Sequence, residues 1–159
     1  MKGYTLGLFD KLLAGAESHA ATITRLSLEE IKDAVARDLE SLLNTRSVLS
    51  PDVLKKFPEC SKSIATYGLN DFAGLSLTSA DDRAYICKSL ELTIGRHEPR
   101  LRSVRASLEL DSNSTNRLNI AISALLVLNE EQEPVKFDAV LQPSSLQYSI
   151  SKARRVSRV

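Results

Sequence analysis

The chain has 159 residues, which fits one domain better than two, and 43% of them are hydrophobic, enough to fill a single core. Lysine plus arginine number 21 against 20 aspartate plus glutamate, and a net charge of +1 excludes whole-molecule attraction to nucleic acid or an acidic membrane. Trp is absent and Cys60 and Cys87 have neither CxxC nor Cys/His spacing, so the core falls to Leu, Ile and Val, and neither a zinc site nor any other cofactor or metal is expected.

The first segment, 1–24, reads as an N-terminal arm with a linker. Leu8, Phe9, Leu12 and Leu13 fall at helical spacing within it and predict a short amphipathic helix, too short to be stable without a surface to dock on. It lacks the apolar run of a signal peptide, and no run in the chain approaches the ~20 residues of a membrane helix. Any membrane association is therefore expected to be indirect. The two isolated thiols suit a reducing cytoplasm, and their pairing is left open.

The main domain is expected over 25–151. Ser27 and Glu30 form an S-x-x-E capping box, with Leu26 and Ile31 placed for a hydrophobic staple. Leu28, Ile31, Val35, Leu39 and Leu42 then mark one helical face, ending near residues 44–46. Residues 47–78 have no sustained period and hold Pro51, Pro58, Gly68 and Gly74. They read as an ordered connector containing a short helical turn, pinned by Val53, Leu54, Ile64, Tyr67, Leu69, Phe72 and Leu75. A second helix begins at Ser79, carries Asp81 and Asp82 in its first turn, buries Ile86, Leu90 and Ile94, and stops at Pro99.

Beyond Pro99 the period changes to two. Val104, Ala106, Leu108 and Leu110 alternate with polar residues, 111–116 (DSNSTN) is a turn, and Leu118, Ile120, Ile122, Leu126 and Leu128 line a long central strand. Residues 129–134 read as a turn, followed by a third strand through Val135, Phe137, Ala139 and Leu141 and a fourth through Leu146, Tyr148 and Ile150. Helices first and strands after give an α+β fold: two main helices packed on one face of a small antiparallel sheet of about four strands. The last segment, 152–159, is a basic C-terminal tail without an aromatic stacking platform, so an acidic patch on a protein suits it better than nucleic acid.

The densest chemical group is Arg96, His97, Glu98, Pro99, Arg100 and Arg102 at the helix-to-strand corner. Glu98 could be the acid of a cell-wall glycan hydrolase, but a glycosidase acid needs a raised pKa, and close arginines push a carboxylate the other way. Glu91, seven residues back along the helix, is roughly 10 Å away, long for a retaining pair. With no GxSxG or P-loop either, no catalytic residue is assigned.

Three segments then occur in a familiar order: 35–46 (VARDLESLLNTR), 67–72 (YGLNDF) and 98–101 (EPRL). Together with the strand-rich ending, this order resembles the TssE family of type VI secretion baseplate subunits, related to the phage baseplate wedge proteins sometimes labelled lysozyme-like. The family usually has Pro where this chain has Asn70, and Phe where it has His97, a change that removes an apolar anchor beside Glu98.

The resemblance implies a structural wedge subunit that is not an enzyme. It would sit in the cytoplasm, at the cytoplasmic face of the inner membrane once assembled. Its partners would be the wedge proteins TssF and TssG, the sheath proteins TssB and TssC, and, as a further candidate, TssK. The partner-binding residues it points to are Glu98, Pro99, Arg100 and Leu101 at the corner, Tyr67, Gly68 and Asp71 in the loop, and Asn44 and Arg46 at the end of the first helix. A sheath subunit could add a strand at a sheet edge, either 146–152 or 101–110, and so template sheath growth. A regulatory adaptor of similar fold is the alternative that remains beside the hydrolase.

Overall fold

The computed structural model describes residues 27–72, 74–110, 118–128, 131–142, 145 and 147–152. The N-terminal arm, the 111–116 turn and the tail beyond Lys152 lie outside them, as do Leu26 and Leu146.

The first helix, α1 (Leu28–Asn44), starts where the local chemistry dictates. The Glu30 N–H donates to Ser27 Oγ at 3.3 Å, and the Ser27 N–H donates back to Glu30 Oε2 at 2.7 Å. Ile31, Val35, Leu39 and Leu42 are buried, joined by Ala34, Ala36 and Leu43. The connector holds a one-and-a-half-turn helix, α2 (Pro51–Lys56), then 3₁₀ turns at Pro58–Lys62 and Ile64–Thr66. Its anchoring differs from expectation. Leu69 is fully buried, but Ile64 is 80% exposed and Val53 39% exposed, so neither pins the segment.

A second long helix, α3 (Ala80–His97), is capped by Ser79, whose side chain accepts from the Asp82 N–H at 3.3 Å. Its stripe Ile86, Leu90 and Ile94 is buried.

Strands β1 (Leu101–Leu110), β2 (Leu118–Leu128), β3 (Glu131–Gln142) and β4 (Gln147–Lys152) form one antiparallel sheet in the order β1-β2-β3-β4. The fold is thus α+β around a four-stranded meander. Along β2, Leu118, Ile120, Ile122, Ala124 and Leu126 are buried and share one core with Val135, Phe137 and Ala139 of β3 and with the stripes of α1 and α3. The 129–134 stretch is not all turn. Glu131 to Pro134 continue β3 and pair with Leu128 to Leu125. Among the described residues β4 pairs with Phe137–Gln142, so Pro134 lies beyond that pairing, where the missing N–H donor breaks no described ladder bond to β4.

Strand β1 carries a bulge. Arg102 pairs with Leu125 and Arg105 with Ser123, so one extra residue sits on β1, and Ser103 takes the left-handed φ of 51°. The extra residue shifts the alternation. Leu101 faces the core before it, and Val104, Ala106 and Leu108 pack against the core after it.

Candidate functional site: an ion-paired corner and two covered sheet edges

The α3–β1 corner is closed by backbone bonds. The Glu98 N–H donates to the Ile94 carbonyl at 2.8 Å, Leu101 N–H to the Glu98 carbonyl at 3.1 Å, and Val127 N–H to the Arg100 carbonyl at 2.8 Å. This holds Glu98 inward, only 4% exposed. Its Oε1 accepts from the Arg100 N–H at 3.2 Å and from Nε at 2.7 Å, and its Oε2 accepts from Nη2 at 2.6 Å. The same Nη2 donates to Asp38 Oδ2 on α1. Glu98 and Asp38 push the Arg100 pKa up, against the opposing effect of burial.

Of the arginines around Glu98 in sequence, Arg100 is the one paired with it, and Asp38, 62 residues away, is a member that sequence reasoning missed. Two carboxylates and one guanidinium leave the cluster net negative, with Asp38 as its more exposed acid, 40% at the side chain against 6% for Glu98. Both Glu98 oxygens are turned to Arg100. Glu91 instead reaches β1, where its Oε1 accepts from the Ala106 N–H at 3.2 Å.

Tyr67 belongs to the same corner. Burial raises its pKa, and the charges of Asp38 and then Glu98 add to the rise. Its ring meets His97 edge-on, with centroids 5.5 Å apart at 73°. The His97 Nε2–H donates to the Thr66 carbonyl at 3.0 Å. The expected loss of an apolar anchor at His97 is therefore made good by a ring contact and a tether to the connector. Burial pushes the His97 pKa down, the Thr66 carbonyl opposes that, and Arg96 adds a smaller push downward.

The other residues singled out from the sequence separate. Leu101 is buried at 2% in the core. Gly68 is buried with φ +112°, and a Cβ there would lie 2.6 Å from the Thr45 carbonyl oxygen. That approach lets the Leu69 N–H reach the Thr45 carbonyl at 2.8 Å and the Ser47 N–H reach the Leu69 carbonyl at 2.9 Å. Arg46 forms an isolated parallel bridge with Leu69 and, like Pro99 and Asp71, is exposed. Asn44 is committed to the far edge of the sheet.

There the Asn44 amide donates to the Tyr148 carbonyl at 2.9 Å and accepts from the Tyr148 N–H at 2.7 Å, while Glu40 Oε2 accepts from the Ile150 N–H at 2.8 Å. The opposite edge repeats the device: Glu91 takes the Ala106 N–H, and the Leu108 N–H lies against the Cys87 sulfur. In each case side chains four apart on a helix meet groups two apart on a strand. Four helical residues rise about 6 Å and two strand residues about 6.6 Å, so the spacings match. Both edges are thus covered along part of their length by the chain's own helices.

Among the described residues, no group of His, Cys, Asp and Glu is placed to hold a metal, and no helix is long and apolar enough to cross a membrane. The two cysteines are unbridged.

A family model described as baseplate wedge protein gp25 matches residues 29–131. A chain of the solved structure "The baseplate complex from the type VI secretion system" is similar at 16% identity and a TM-score of 0.48, over 72% of this chain and 96% of that one. No curated protein matches.

Proposed function

The chain belongs to the baseplate wedge protein gp25 family, and from that membership we propose that it is a structural subunit of a contractile injection baseplate of the type VI secretion kind, acting by docking and not by catalysis. The family match carries the reading. It runs from α1 through the connector, α3 and the corner to the start of β3, and so includes the Asp38–Arg100–Glu98 cluster.

In this reading the corner is a contact point for wedge partners of the TssF and TssG type. Glu98 and Arg100 fix the turn, and Asp38, Tyr67 and Pro99 meet the partner. Sheath proteins of the TssB and TssC type engage a sheet edge by strand addition, TssK is a further neighbour, and the assembly forms on the cytoplasmic side of the inner membrane. The covered edges refine the mechanism. An incoming strand must displace helix side chains, and β1 is the favoured edge. Its cover is one carboxylate bond of 3.2 Å and a weakly accepting sulfur, against three bonds of 2.7–2.9 Å on β4. A single strand nets about 0.5–1.5 kcal/mol per hydrogen bond, and a ring of such contacts multiplies the hold.

Affinity purification of the tagged chain from its native cells tests this. Recovery of wedge and sheath proteins is expected. A machine that assembles fully while the tagged chain brings down neither would overturn it.

A further inference from the structure

Helix α3 carries two large apolar side chains on a second side, among Lys88, Ser89 and Arg96. Opposite the buried stripe of Ile86, Leu90 and Ile94, Tyr85 and Leu92 stand 53% and 47% exposed. Here the second side forms one wall of an open cavity of about 390 Å³, and the connector forms the other with Leu49, Leu54 and Pro58.

Among the described residues the charged side chains that line it have one sign: Lys55, Lys88 and Arg96 do, and no carboxylate does. Lys55 pairs with Asp52 at 3.2 Å, but that pair is exposed and screened, and Lys88 is only loosely placed, 3.7 Å from Glu91. Arg96 has no carboxylate partner among the described residues. The connector is a shared wall. Thr66, Gly68 and Asn70 face this cavity, whereas Tyr67 between them turns to His97.

We propose that this groove is a second docking site, separate from the Glu98 corner, for a short acidic and amphipathic peptide segment of a partner protein. Apolar side chains of the segment cover Tyr85, Leu92 and Leu54, and its carboxylates face Lys88 and Arg96. The volume suits a few side chains, so the segment is short. The inference stands on the groove alone and does not depend on the baseplate reading.

The probes are three labelled twelve-residue peptides: one mixing Leu and Phe with Glu, one with Lys replacing Glu, and one with Ser replacing Leu and Phe. Fluorescence anisotropy with the full chain should show binding of the first and at least tenfold weaker binding of the others. Arg96→Glu with Lys88→Glu, and separately Leu92→Ser, should each weaken the first peptide at least tenfold. All three residues are exposed, so circular dichroism should be unchanged, and Asp38→Asn at the corner should leave the affinity as it was. Equal binding of the lysine peptide, or affinity indifferent to the groove variants, would overturn the proposal. So would a dimer in sedimentation that Leu92→Ser dissolves, because a second copy would then be the occupant.

Discussion

Asn44 holds Tyr148 by both of its backbone groups, donating to the carbonyl at 2.9 Å and accepting from the N–H at 2.7 Å. A side-chain amide here stands where the peptide of a fifth strand would stand, and it comes from a residue 104 positions away. The sheet therefore ends in a helix and not in an open ladder.

Removing that amide should cost both stability and solitude. Asn44→Ala leaves a donor and an acceptor of Tyr148 to water, and a loss of about 1–3 kcal/mol is expected by urea denaturation. Light scattering should also rise with concentration as the edge becomes available for pairing. Asn44→Asp keeps the acceptor and should fall between. If all three chains melt and scatter alike, the bond is idle.

Arg100 and Glu98 should fail unequally. Arg100→Ala strands a carboxylate that is 6% exposed at the side chain, and a loss of about 3 kcal/mol is expected, the low end for a buried pair because Arg100 is itself 25% exposed. The double variant with Glu98→Ala should recover part of that loss and keep the fold. A double variant less stable than Arg100→Ala alone would mean that Glu98 holds the corner by something other than the pair.

Gly68→Ala should be among the most damaging single changes in the connector. It forces an alanine into a left-handed φ of +112° and drives its Cβ to 2.6 Å from the Thr45 carbonyl oxygen. About 3 kcal/mol of destabilisation is expected, whereas Gly74→Ala, with nothing among the described residues within 4 Å of the new Cβ, should be nearly neutral. Equal melting of the two variants would refute this.

Acid should loosen the connector through His97. Burial lowers its pKa from the ordinary 6.5, so on acidification the unfolded chain takes up the proton first. Stability from this group is complete above that pH, declines as pH falls through it, and stops declining once the folded form is protonated too. His97→Gln should flatten the change in urea midpoint between about pH 7.5 and 5.5. An equally steep variant would place the dependence elsewhere.

What could be read ahead of the structure was what neighbours in sequence decide. The Ser27–Glu30 box, the helix start at Ser79 and the stop at Pro99 each need only a few adjacent residues, and each stands where expected. The period-two alternation of 118–128 likewise gave β2 its buried face. Asp38 and Asn44 carry no such signal, because their partners lie 62 and 104 residues off and a charged or amide residue on a helix flank looks merely solvated. Val53 and Ile64 misled for the opposite reason: apolar residues without a period give no direction, and these two point outward. The start of β3 was hidden by the polar run Glu131, Gln132 and Glu133, where pairing with the full length of β2 overrides local preference.

The extra residue at Ser103 acts as a shim between two bodies with separate rotational settings. Take it out, and Leu101 and Val104 can no longer both turn inward. Either the rest of β1 swaps sides, or the preceding bend rotates away and carries the Glu98–Arg100 pair with it. A one-residue deletion at a solvent-facing serine would thus reach further than many a substitution in the interior.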